Sequence, residues 1–108
     1  MSEKRYKQFN YGKNLPKSAK RSKQMQWIPF SYIDTYNIIN GLFRSRRKYG
    51  KDGRAYKDMD TADTHRPYDH IHEIHNGVRS STPRKPNYYE EKELTKAKRK
   101  RRFYNDWF

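Results

Sequence analysis

The residues best suited to chemistry in this 108-residue sequence are its four histidines, His65, His70, His72 and His75, all in one short stretch. Imidazole titrates near neutrality, so such groups can give and take protons at physiological pH. Asn76-Gly77 directly follows and offers the two positive-φ residues of a type I′ turn. That turn makes Tyr68 to His75 one strand of a hairpin and Val78 to Thr82 its partner. His75 then faces Val78, Ile74 faces Arg79 and His72 faces Ser81. Strand alternation gathers His70, His72, Ile74, Arg79 and Ser81 on one face and Ile71, Glu73, His75, Val78 and Ser80 on the other.

Two imidazoles about 6.6 Å apart along a strand, with a guanidinium diagonally beside them, match the needs of RNA cleavage. That reaction takes a base for the 2′-hydroxyl, an acid for the leaving 5′-oxygen and a cation for the charged intermediate. The catalytic candidates are therefore His70, His72 and Arg79, joined by His65 from the loop Thr64-His65-Arg66-Pro67. Acid/base work of this kind needs no cofactor. A second reading is a divalent metal site built from His70, His72 or His75 with Asp69 or Asp63, since imidazole and carboxylate suffice for zinc or manganese. A third is a set of polar surface histidines that bind or fold without chemistry.

Several elements must position this face. Arg54 to Asp60 reads as a strand preceding the hairpin. Upstream, the pattern over residues 27–50 predicts a helix: Ser31 caps it with Asp34 three residues on, and Tyr32, Tyr36, Ile39 and Phe43 form an apolar stripe. Arg44, Arg46, Arg47 and Lys48 would crowd its last turn, where they offset the helix dipole or face phosphates. Gly41 would kink it and Gly50 stop it. After Pro83 and Pro86, the run Tyr88 to Arg102 has acids early and bases late and predicts a second helix ending in the basic block Lys98, Arg99, Lys100, Arg101 and Arg102.

Composition sets the frame. There are 26 Lys and Arg against 12 Asp and Glu, a net charge of +14, which calls for a polyanionic partner. Leu, Ile, Val and Phe supply only 15 residues, so a large aliphatic core is excluded and ten Tyr, five Phe and two Trp must do much of the packing. Residues 1–26 read as a flexible basic arm in which Lys4, Arg5, Lys7, Lys20 and Arg21 would follow phosphates while Tyr6, Phe9 and Tyr11 stack on unpaired bases. Residues 51–77 reverse the sign locally. Cysteine is absent, which removes disulfides and thiolate ligands. No secretory signal or membrane span is legible, so the expected location is the cytoplasm, away from membranes.

The expected fold is α+β: a small antiparallel sheet with its hairpin at 68–82, an N-terminal helix and a basic C-terminal helix, forming one domain over 27–108 behind the arm. The expected partner is RNA.

The string Gly53-Arg54-Ala55-Tyr56-Lys57-Asp58-Met59-Asp60, followed by Asp63, His65, Pro67, His70 and His72, resembles the histidine-rich C-terminal nuclease-like domains of bacterial polymorphic toxins. The resemblance covers about residues 53–77. It implies a nuclease with His65, His70 and His72 at its centre, Asp58 and Asp60 in support, and an acidic immunity partner; Asp63-Thr64-His65 stands where those domains carry a Gly-rich element. Asp69-His70 with Asn87 is similar to the start of an HNH metal nuclease centre, without its final histidine. In size and charge the chain is also similar to small phage and mobile-element proteins such as anti-CRISPR proteins. That likeness implies a non-catalytic inhibitor of an RNA-guided nuclease or its guide RNA.

Overall fold

The computed structural model describes residues 6–11 and 19–20 as backbone and residues 24–37 and 40–101 in full. The order of elements is β1 (Tyr6–Tyr11), β2 (Ala19–Lys20), β3 (Tyr32–Asn37), β4 (Phe43–Tyr49), β5 (Ala55–Asp60), β6 (His70–His75), β7 (Val78–Arg79) and α1 (Tyr88–Lys98). The strands form one antiparallel sheet in the order β2-β1-β3-β4-β5-β6-β7. From β3 onward each strand folds back beside the one before, and one helix, the only one among the described residues, covers one face. The class is α+β.

The hairpin that carries the histidines forms in the expected register, Ile74 opposite Arg79 and His75 opposite Val78. Asn76 and Gly77 both have positive φ, 51° and 78°, as a type I′ turn requires. The partner strand is shorter than expected and ends at Arg79. The C-terminal helix begins where the sequence places it. Asn87 accepts from the Glu90 N–H while the Glu90 carboxylate accepts from the Asn87 N–H, a complete capping box. It ends at Lys98, before the basic block is finished.

The expected helix over 27–50 is instead the β3–β4 hairpin. Tyr36 and Phe43, assigned to one helical stripe, do touch, edge to face with centroids 5.8 Å apart, but across two strands. Ile39 lies outside the described residues. The physical reason is twofold. Tyr32, Ile33, Thr35 and Tyr36 prefer the pleated, half-buried surface of a sheet, and Asn40-Gly41 turns the chain, with Gly41 at φ 72°. The hairpin also sets Asp34 opposite Arg46, which an unbroken helix would hold three turns apart. The expected arm over 1–26 contributes β1 and β2 to the sheet, and Gln26 bridges Arg54. Lys4, Arg5 and Arg21 lie outside the described residues, as does Arg102.

Residues directly opposite one another in an antiparallel pair share a face, and the registers divide the sheet accordingly. One face carries Tyr36, Phe43, Met59 and Ile71, which close with Leu94 and Ala97 of α1 into the main apolar core. The same face carries Asp34, Arg46, Lys48, Lys57 and Glu73. Lys48 sits directly opposite Lys57, a repulsive pair that the helix resolves. Glu93 binds Lys48 at 2.9 Å and Arg46 at 2.8 Å, and Glu90 binds Lys57 at 2.8 Å and Arg84 through both of its oxygens. The other face has a smaller cluster, Ile33, Tyr49, Ala55 and Ile74 with Trp27 against it. Gly53 holds Trp27 there: its φ is +78°, and a Cβ would lie 2.4 Å from the Trp27 carbonyl oxygen. Among the described residues, no helix is long and apolar enough to cross a membrane.

Leu94 is 1% exposed at the centre of the helix–sheet contact. Leu94→Ala is expected to cost about 2 to 5 kcal/mol in urea unfolding. The Arg84 guanidinium, helped by Lys57 and the Asn87 N–H, holds the Glu90 carboxyl down at about 2, from 4.5. A depressed carboxyl contributes stability above its unfolded pKa and loses it as pH falls through the folded one. Melting temperature should therefore drop between about pH 4.5 and about pH 2, and Glu90→Gln should flatten that part of the profile.

Candidate active site

On the face of the sheet away from α1, the registers align Thr35 with Ser45, Ser45 with Asp60 and Asp60 with His70; one step along, Arg47 meets Asp58 and Asp58 meets His72. The Asp-x-Asp of β5 thus lies against the His-x-His of β6, because both repeat with the period of a strand. His70 and His72 are 2% and 6% exposed. Their rings meet edge to face at 5.1 Å.

Backbone carbonyls fix both imidazoles. His70 Nδ1 is 2.9 Å from the Tyr68 oxygen and His72 Nδ1 is 2.7 Å from the Ser80 oxygen. A carbonyl can only accept, so each Nδ1 carries a proton and, in the neutral ring, each Nε2 holds a lone pair. The two Nε2 atoms point at one carboxylate oxygen, Asp60 Oδ2, at 3.7 and 3.9 Å. These distances are beyond a hydrogen bond. Asp60 Oδ1 is buried with no partner.

Arg79 closes the cluster from β7. Its Nε donates to Asp58 Oδ2 at 2.7 Å and its Nη2 to Asp60 Oδ2 at 2.8 Å. Asp58 is also bound by both Nε and Nη2 of Arg47 at 2.7 Å. Burial opposes the charge on Arg47, yet the Asp58 hydrogen bonds and field raise its pKa overall. A cleft of about 390 Å³ is lined by Thr35, Arg44, Ser45, Arg47, Asp58, Asp60, Asp63 and Arg79, so it reaches the carboxylates and guanidinium of the cluster while the imidazoles lie buried behind them. A larger hollow of about 640 Å³ on the outer side of α1 is lined by Tyr88, Lys92, Lys96 and Arg99 among others, without aspartate among the described residues.

Of the sequence-derived catalytic candidates, the structure brings together His70, His72 and Arg79. It leaves His65 exposed in its loop, its N–H donated to Asp63. The carboxylate that joins the imidazoles is Asp60, from the neighbouring strand. Asp63 instead accepts from the N–H groups of Arg66 and His65, which lower its pKa. Asp69 binds Lys98 and the Ala62 N–H, and His75 is exposed on the opposite side of β6. Asn87 is the helix cap.

The basic candidates are redistributed by the change from helix to hairpin. Arg46 lies buried with Asp34 at 2.7 and 2.9 Å and Tyr32 stacked under it at 3.8 Å. Those hydrogen bonds, with Glu93, raise its pKa against the cost of burial. Arg47 is spent on Asp58 and Lys48 on Glu93. These three stabilise the sheet, where a helix end facing phosphates was expected. Arg44 reaches Thr61 Oγ1 and the Ala62 carbonyl at the rim of the cleft. Lys98, Arg99, Lys100 and Arg101 are exposed, with Arg101 bridging Leu42. Lys7 and Lys20 fall in β1 and β2.

The alternation Asp58-x-Asp60, matching His70-x-His72, was the sequence signal for the carboxylate of this cluster. No such signal marked Arg47. Asp58→Ala would leave Arg47 buried without its carboxylate and is expected to cost about 3 to 5 kcal/mol. Arg79→Ala, at the exposed end of the same network, should cost no more than about 1 kcal/mol. Urea unfolding of the two variants checks the order. No protein-family model, no curated protein and no solved structure matches this chain.

Proposed function

We propose that this protein is an RNA-directed endoribonuclease whose chemistry is centred on His70, His72, Asp60 and Arg79. The observation that carries the proposal is the convergence of two buried imidazoles of fixed tautomer on one carboxylate, with a guanidinium beside them and a cleft that this carboxylate and guanidinium line. Buried titratable groups gathered under a cleft are where proton transfer and charge stabilisation are found. The N–H groups of Arg79 not used by Asp58 and Asp60 would meet the charge that develops on a phosphate.

A route for the substrate supports the same reading. Leu42, Arg44, Asp63 and Lys98 line one hollow of about 590 Å³ at the end of the sheet, and Leu42 is the residue that Arg101 bridges. Arg44 and Asp63 also line the catalytic cleft. Phosphates held by Lys98, Arg99, Lys100 and Arg101 would therefore lead a strand along that end of the sheet toward Asp60. Exposed Tyr88 and Tyr89 beside Lys92 offer base-stacking surfaces on the flank. Binding of this kind is sequence-tolerant and weakens steeply with salt.

The test is a gel with structured RNA and the full chain. Wild-type protein should cut the RNA; His70→Ala and His72→Ala should lower the rate at least about 100-fold while still shifting the RNA. RNA that is shifted by wild type yet remains intact would replace the nuclease with a binding protein of the inhibitor kind.

A further inference from the structure

We propose that Asp60, His70 and His72 form a binding site for one divalent transition-metal ion of the zinc type. Its catalytic use rests on the nuclease reading above, whereas its binding does not.

Three independent features point to an ion. The first is spacing. A ligand atom from each of the three residues lies within 4.8 Å of the other two. The base and acid of an in-line displacement must stand at opposite ends of the O–P–O axis, so their nitrogens are separated by more than two hydrogen bonds, about 5 to 6 Å. Groups as close as these fall short of that span. They can share one small sphere. Ligand atoms about 2.0 to 2.1 Å from a tetrahedral ion lie about 3.3 Å from each other, so the 3.7 and 3.9 Å gaps to Asp60 Oδ2 need to close by about half an ångström, and the widest gap, no more than 4.8 Å, by up to about 1.5 Å.

The second feature is the outer shell. A metal-bound histidine keeps its lone pair on one nitrogen by donating the other N–H, commonly to a backbone carbonyl. Both histidines do this, through Tyr68 and Ser80. Arg79 holds Asp60 Oδ2, as ligating carboxylates are themselves held. The third is the unsatisfied atom. Asp60 Oδ1 is buried without a partner, a cost that a cation bound through both oxygens of Asp60 would remove.

Charge agrees. Asp58 and Asp60 are balanced by Arg79 and Arg47 across the cluster. A dication held by two neutral imidazoles would make the floor of the cleft positive, suited to a phosphodiester. Two histidines and one carboxylate also leave a fourth position for water, whose proton the ion would make easier to remove.

The experiment uses the full chain, stripped with a chelator and titrated with Co2+, whose visible absorption reports tetrahedral nitrogen and oxygen ligation; Zn2+ then competes. One equivalent of Co2+ should bind, Zn2+ should displace it and Mg2+ should not. Asp60→Asn and His72→Gln should weaken binding at least about tenfold, whereas His75→Gln, on the other side of β6, should leave it unchanged. Far-UV circular dichroism establishes that each variant is folded. Folded wild type with no Co2+ spectrum overturns the proposal, and so does binding that depends on His75 and not on His72. RNA cleavage measured on the same samples separates the two conclusions. Metal binding without cleavage removes the nuclease alone, and chelator-resistant cleavage without metal binding removes the ion alone.

Discussion

The contact between Glu90 and Glu93 of α1 and the cations of the sheet is the interaction on which the rest of the structure depends. The sheet places Lys48 beside Lys57 and Arg46 on the same side, an arrangement that would repel itself if left in water or covered by an apolar helix. Spaced three residues apart, the two glutamates emerge from one side of α1 next to Leu94 and Ala97. One helical face thus carries both the apolar contact and the counter-charge. A chain with so few aliphatic residues must bury charge along with its core. Buried charges are tolerated when each is paired and hydrogen-bonded, as Arg46, Asp34 and Glu90 are here.

The opposite face follows the same rule with another result. Arg47 and Arg79 neutralise Asp58, but Asp60 has two imidazoles where a second arginine would complete the pattern, and one of its oxygens is left unpaired. That departure from full satisfaction singles out the site. Elsewhere the described carboxylates of the sheet are closed off by lysine or arginine, and an exposed run of bases follows at the C-terminal end of α1.

How far the sequence could be read depended on which kind of interaction decided each element. The 76–77 turn, the register of β6 with β7, and the start of α1 are local: Asn-Gly and the Asn87 to Glu90 capping box carry their own geometry. Residues 31–49 contain the same Asn-Gly signal at 40–41, but a stripe at spacings of 4, 3 and 4 competes with it. Tyr36 and Phe43 satisfy both descriptions, since they would share one face of a helix two turns apart and are partners across the hairpin. The pairing of Asp34 with Arg46 and of Arg47 with Asp58 decides between them, and neither pair is adjacent in sequence.

By itself, the sequence determined the α+β class, the histidine hairpin and its register, the capped C-terminal helix and the strongly basic character. Each of these follows from composition or from residues a few positions apart. Only the tertiary structure decided that Asp60, rather than Asp63 or Asp69, faces the imidazoles, that Arg46 and Arg47 lie inside the molecule rather than on its surface, and that His65 stands apart. The reason is that a carboxylate is drawn to whichever cation the sheet register sets against it. That register is fixed by the packing of all the strands together, not by any one of them.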